Sequence, residues 1–438
     1  VRRRGLALVA ALAGLAIPAP ALAGVEDTLG LGPRAMALGG SYAARPGDFA
    51  AVYYNPAGLS PGGTPDRSGG FFDLTAGWVY AHPSLHVTRA DGSEIVTPGE
   101  PDTVGAVVGA RFSVGQPFGI EGLNMGISAY VPNHLFRWSI YPDDDVQWAL
   151  LMDRTQVVSA HTALAYRLTP WLSLGAGLRI SFDVQTLTRG RVTSVEYDQT
   201  TGKVRTHTEL GTDAQVYGRV TPLFGALITP NDHLRFGLTY KHASYVNDWG
   251  DTRIREVPIL SNMGYTHHFA HYYEPMQLTA AAGVDVTPEL DLSFDLTWAR
   301  WSQALSTNNN TFGSGVWGDT WTPAVGARFA AAPGFRLLAG YRFQKSPLDN
   351  FGGPTNLLDN DRHVATVGLE AELSELVSKS LDASVTLAME EILLVERTET
   401  KDFRRFPSDT AWQKNPGYPS YSHGGSVMAL SLGLEARW

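Results

Sequence analysis

The feature that most constrains this chain is a period-2 alternation of apolar and polar side chains, which recurs in segments of roughly 10 to 17 residues from residue 69 to the end. Between Leu172 and Val184, one face carries Leu172, Leu174, Ala176, Leu178, Ile180, Phe182 and Val184, and the other carries Ser173, Gly175, Gly177, Arg179, Ser181 and Asp183. Asp291 to Trp298 repeats it, with Leu292, Phe294, Leu296 and Trp298 opposite Asp291, Ser293, Asp295 and Thr297. The fold class is therefore all-β. A soluble sandwich also alternates, but here the polar faces carry Arg111, Arg179, Arg219, Arg235, Lys241, Arg328, Arg336, Arg342, Asp183, Asp285, Asp295, Glu370 and Glu390. A soluble core could not hold so many charges. On a lipid face each Arg or Lys would cost roughly 2–4 kcal/mol at the midplane, so these residues must face a wet lumen.

Fourteen such segments can be marked, near 70–81, 103–114, 122–131, 157–168, 171–188, 213–228, 233–243, 272–287, 289–301, 321–331, 334–345, 361–372, 380–395 and 425–438. An even number of antiparallel strands closes into a barrel, which leaves no backbone group unpaired in lipid. Connection lengths test this independently. Short links at Gln116–Gly122, Leu168–Pro170, Thr229–Asp232, Thr287–Pro288, Ala332–Pro333 and Leu373–Lys379 alternate with long ones at 82–102, 132–156, 189–212, 244–271, 302–320, 346–360 and 396–424, as transmembrane barrels require. Three short turns share the form Thr-Pro, at Thr169-Pro170, Thr229-Pro230 and Thr287-Pro288.

After residue 23 no run of 18 apolar residues occurs, and 46 Gly with 26 Pro oppose long helices. The absence of Cys excludes thiolate zinc sites and cysteine nucleophiles. Arg2, Arg3 and Arg4, an apolar stretch from Leu6 to Ile17, and Ala21-Leu22-Ala23 read as an export signal over residues 1–23, which places the protein in the outer membrane of a Gram-negative-type bacterium. Removal of three arginines takes the charge from −9 to near −12, which disfavours nucleic-acid partners. At the other end Trp438 closes an apolar face of Met428, Leu430, Leu432 and Leu434, an expected handle for the barrel-assembly machinery.

Residues 24–68 do not alternate and are rich in Gly, Ala and Pro. The segment is too small for a core of its own, so it is expected to fold inside the barrel of residues 69–438 as a plug. Within it, Asn55-Pro56-Ala57 combines a turn former, a fixed φ and a small side chain, which suits a rigid gating tip against the wall.

The stretch from Gly39-Gly40 through Asp48 to Asn55-Pro56-Ala57 resembles the hatch of the FadL-type outer-membrane transporters of long-chain fatty acids and aromatic hydrocarbons. The resemblance continues through Pro230-Asn231-Asp232-His233-Leu234-Arg235-Phe236-Gly237-Leu238, Trp298-Ala299-Arg300-Trp301-Ser302 and Leu338-Ala339-Gly340-Tyr341-Arg342. It implies passive uptake of a hydrophobic molecule, foremost a long-chain fatty acid, without a cofactor. The ligand would pass an apolar pocket beside the plug and leave sideways into outer-membrane lipid next to a kinked third strand. Gly126, inside the candidate third strand, is the candidate for that kink, with an ordinary barrel glycine as the favoured alternative.

The greasy loop with Trp138, Trp148, Leu150 and Leu151 is the expected outer capture groove, with packing of loop on loop as the alternative. Arg111, Arg179 and Arg219 are candidates for holding a ligand carboxylate, against structural pairing with lumen acids. Gly58-Leu59-Ser60-Pro61-Gly62 matches a hydrolase nucleophile elbow, but Pro61 lacks the N–H that the oxyanion hole needs, and the protein is not read as an enzyme. His267, His268 and His271, and Asp143-Asp144-Asp145, read as solvated loop residues rather than metal sites. Two other functions stand behind transport of hydrophobic molecules: a non-transporting barrel acting as a partner-binding or secretion-associated scaffold, and a general diffusion porin.

Overall fold

The alternating segments become the staves of a closed wall. A computed structural model of the protein describes residues 25–60, 71–95, 102–133, 146–148, 158–198, 200, 203–255, 263–303, 317–348, 352, 356–373, 382–402 and 415–437. Its strands are β1 (Phe72–Arg89), β2 (Thr103–Ser113), β3 (Leu123–Pro132), β4 (Val146–Trp148), β5 (Ser159–Thr169), β6 (Leu172–Asp198), β7 (Lys203–Ile228), β8 (Leu234–Lys241), β9 (Ser244–Arg255), β10 (Met263–Glu274), β11 (Gln277–Asp285), β12 (Leu290–Ala299), β13 (Thr320–Ala332), β14 (Phe335–Gln344), β15 (Asn356–Leu358), β16 (Arg362–Glu372), β17 (Asp382–Thr400) and β18 (Ser420–Arg437). The main sheet has 16 strands, of which β9 and β10 leave the ring, so 14 form the wall. β1 pairs with β18 and β6 with β7, which closes it. Every wall segment read from the sequence is a wall strand.

The faces are those that lipid and a wet lumen demand. Leu174 and Leu178 are 46% and 43% exposed, whereas Ser173 and Arg179 on the same strand are buried. On β12, Leu292 and Phe294 are exposed and Ser293 and Asp295 are buried. Side-chain caps set the tight turns: the Asn231 carbonyl accepts from the backbone N–H of His233 and Leu234, both at 2.9 Å, and the Thr287 hydroxyl accepts from Leu290 N–H at 3.1 Å.

The long connections hold more strand than alternation showed. β6 and β7 pair out to Asp198 and Lys203, and a second hairpin, β9–β10, fills much of 244–271. It continues β8 and β11, yet β9 pairs in parallel with the edge of β6 far from β7, Val184–Arg191 against Asp248–Arg255. His267, His268 and His271 thus fall within a strand rather than an irregular loop.

The third strand carries no kink at Gly126, in keeping with the ordinary-glycine reading. β3 pairs with β2 from Asn124 to Pro132 and with β5 from Leu123 to Tyr130 without a register break, and Gly126 sits opposite Arg111 on one side and Ala163 on the other. The glycine serves close packing instead: a Cβ there would lie 2.5 Å from Val52 Cγ1 and 2.7 Å from Leu59 Cδ2 of the amino-terminal segment.

Candidate functional site

Residues 26–60 are almost wholly buried against the inner faces of the wall strands. Three sets of contacts hold them. The first is Arg34, on the short helix Pro33–Ala37. Its Nε donates to Glu370 at 2.6 Å, Nη1 to Asp48 at 3.1 Å and Nη2 to Glu435 at 3.0 Å, so one guanidinium joins the segment to β16 and β18. Burial alone would lower its proton affinity, but the carboxylates of Glu435, Glu370 and Asp48 reverse that and hold it charged well above the ordinary range. Asp48 also accepts from Ala50 N–H at 2.9 Å. Arg34 belongs to no motif of the sequence reading; the only available signal was a lone cation inside an apolar Gly/Ala-rich stretch.

The second is the turn at Ser41-Tyr42-Ala43. Asp295 of β12 accepts from Ser41 Oγ at 3.2 Å, Tyr42 N–H at 3.1 Å and Ala43 N–H at 2.9 Å, while Ser293 Oγ donates to Ser41 O at 3.0 Å. Just before it, Gly39 and Gly40 take φ of 63° and 78°, in the left-handed region that other residues resist. A Cβ on Gly39 would also stand 2.8 Å from Tyr341 N, so β14 and the segment meet backbone to backbone.

The third is the tip at Asn55-Pro56-Ala57. The Asn55 carbonyl accepts from Ala57 N–H at 3.2 Å and caps the short helix Pro56–Leu59, while its Nδ2 donates to Ala43 O at 2.8 Å and to Ala226 O of β7 at 3.0 Å. Gly175 and Gly225 are partners across β6 and β7, and a Cβ on either would run into Pro56 or its neighbours. A glycine hollow thus receives the tip. Its residue types suit the rigid contact expected of it.

The lumen is divided by chemistry. One sector is apolar: Val364, Ile392, Val427, Val79, Val107 and Tyr130, from β16 through β3, pack in one buried cluster with Leu29, Phe49 and Val52 of the segment. The opposite sector holds a cavity of about 130 Å³ at the loop end, lined by Asp27, Lys241, Gln277, Asp295, Arg342 and Arg362 among others. At the turn end a second cavity of about 750 Å³ is lined by Arg34, Arg45, Arg235, Asp285, Arg328 and Glu370 among others.

Several expected ligand contacts are otherwise engaged. Arg111 donates through Nε to Asp73 at 2.9 Å, and Arg179 is ion-paired with Glu274. Arg219 lies opposite Ser181 on the β6–β7 ladder. None of the three lines either cavity. The outward capture groove is corrected at Trp148, which is 2% exposed and packs edge-on against His423 with centroids 5.6 Å apart. The parallel bridge of β4 with β15 folds it inward, so the loops pack on one another. Trp138, Leu150, Leu151, the Asp143–Asp145 run, Trp438 and residues 1–23 lie outside the described residues. Ser60 is buried and donates to Gly122 O while accepting from Asn124 Nδ2 at 3.0 Å, a packing role and not a nucleophile's. No group of three or more metal-ligating side chains is found among the described residues.

A closed ring with aliphatic side chains outside, paired charges inside and a segment packed within defines a transmembrane β-barrel of the outer-membrane kind. More particularly, the chain belongs to the outer membrane protein transport protein family (OMPP1/FadL/TodX), whose family model matches residues 11–419. Three solved structures illustrate the likeness. A Pseudomonas aeruginosa FadL homologue aligns with a TM-score of 0.57 at 17% identity, over 96% of this chain and 98% of that one. The P. putida toluene transporter TodX gives 0.53 at 14%, over 93% and 99%. The Ralstonia pickettii toluene transporter TbuX gives 0.53 at 12%, over 93% and 98%. At such identities the likeness is one of fold. No curated protein matches the chain in sequence.

Proposed function

We propose that the protein admits hydrophobic molecules, long-chain fatty acids foremost, through the outer membrane by passive diffusion past residues 26–60, which act as a plug. The observation that carries this reading is the apolar sector. A buried apolar cluster runs from Trp148 and Leu358 under the loops, past Ile392 and Val427, to Phe49 and Val52 of the segment. Burying a CH₂ gains about 0.8 kcal/mol, so an acyl chain or an aromatic ring follows such a cluster in preference to the charged sector. Proteins of the same fold described as toluene transporters support the class of cargo and make monoaromatic hydrocarbons the second candidate.

The reading assigns sideways release to the seam between β7 and β8 rather than to β3. Two features support it: the ladder there is short, Leu223–Ile228 against Phe236–Lys241, and Asn55 reaches Ala226 beside it. Because the chain has no cysteine, a disulfide between Ala226→Cys and Leu238→Cys, partners in that ladder, is a clean test. Fatty-acid uptake should fall on oxidation and return on reduction. Uptake indifferent to a formed bridge would refute release at this seam.

A further inference from the structure

The polar sector has no use in the passage of a hydrophobic molecule, yet both cavities described above lie in it. Its two cavities lie one above the other on the same strands. Lys241, Gln277, Asp295, Ala324, Arg342 and Arg362 line the loop-end cavity from β8, β11, β12, β13, β14 and β16. Arg235, Asp285, Asp291, Arg328, Arg336 and Glu370 line the turn-end cavity from the same six. Asp295 and Asp291, one on each, are four residues apart, about 13 Å of strand. The turn lies in that interval: Gly39, Gly40 and Ala43 line the cavity on one side, together with Tyr54, and Arg45 and Gly47 the cavity on the other, together with Arg34.

We propose that the six-strand sector is an axial aqueous path for small hydrophilic solutes, closed by residues 39–47 as a gate whose clasp is Asp295. Cavities with this many charged and hydroxyl groups hold water, and an alkyl chain entering them would forfeit its apolar surroundings. The solute class is therefore polar and small, distinct from the cargo of the apolar sector. The clasp is a localised one. Both oxygens of one carboxylate take the two backbone N–H groups and the Ser41 hydroxyl, and Ser293 takes the Ser41 carbonyl, so four hydrogen bonds to two residues of β12 hold the turn. The glycines at 39 and 40 sit at its start, and the Arg45 guanidinium, 2.5 Å from Asp285, fixes its far end. Loss of the clasp leaves the turn tethered between these points by Asn55 Nδ2 on Ala43 O, and its displacement from β12 joins the two cavities.

The test is made on the purified full-length protein in proteoliposomes, with arabinose swelling and single-channel conductance in KCl. The native protein should be nearly closed. Asp295→Ala should speed swelling by about tenfold or more, the shift expected when at least one net hydrogen bond no longer favours the closed state. Ser41→Ala with Ser293→Ala, which keeps the carboxylate and its backbone bonds, should give a smaller rise in the same direction. If Asp295→Ala does not assemble, the serine pair alone decides. A folded variant that swells no faster than the native protein, or a native protein that already passes arabinose freely, would overturn the gate.

Discussion

Arg34 is the residue on which docking of the amino-terminal segment most depends, because it is the cation paired with buried Asp48 and it ties the segment to Glu370 and Glu435, which Arg336 and Arg437 also hold. Removing one partner of a buried ion pair typically costs about 3–5 kcal/mol, since the remaining charges stay desolvated. Arg34→Met should therefore release the segment from β16 and β18 while the wall, closed by its own ladder, stays folded. Limited proteolysis should then cut within 26–60 while the heat-modifiable band on a gel persists; an uncut segment would contradict this role. Asn55 works differently, with three hydrogen bonds of ordinary strength. Asn55→Ala with Pro56→Ala should leave the barrel intact and change uptake of a labelled fatty acid, and unchanged uptake would remove the tip from the gate. Trp148 was expected outside and is inside. Trp148→Ser should lower stability by roughly 3–5 kcal/mol, the cost of emptying a large buried site, and show it as earlier loop cleavage rather than as weaker ligand capture.

At the scale of elements, the wall was legible because lipid and lumen impose opposite demands on alternate residues, as on Leu172–Val184. The extensions of β6 and β7 and the β9–β10 hairpin lie in the long connections, where the sequence shows no such sustained two-faced alternation, so they read as loops. Gly126 leaves two readings open in the sequence for a related reason. A glycine in a strand signals either a bend or a close neighbour, and only the neighbour, here Val52 and Leu59, distinguishes them. The same logic applies to Gly340, where a Cβ would overlap Leu38 and Gly39. Gly340→Val should leave the strand pairing intact and loosen the segment, readable as faster hydrogen exchange at 35–43 with unchanged exchange in β13 and β16. Loss of strand protection instead would show that the glycine serves the sheet. The contacts that join Arg34 to Glu370 and Glu435, and Asp295 to Ser41, were out of reach for another reason: they join positions hundreds of residues apart, and a single sequence carries no sign of which lumen charge faces which.

The whole molecule is a wall with two interiors, an apolar one and a charged one, separated by a segment that touches both. The charges that make a lumen evident from the sequence pair within the charged half, as Arg328 does with Asp291 at 2.8 Å, or reach across its border, as Arg342 does to Glu390 of β17 at 3.0 Å. The apolar half could not be told from ordinary core by composition. Its continuity from loops to segment is what favours a transporter of hydrophobic molecules over a scaffold, which needs no such cluster. The most direct measurement is uptake of a fluorescent long-chain fatty acid by proteoliposomes containing the purified protein, compared with the same protein carrying Ile392→Asp and Val427→Asp. The native protein should carry the fatty acid well above protein-free vesicles, and the folded double variant should lose most of that excess. Equal uptake by native protein, folded variant and empty vesicles would contradict transport along the apolar sector.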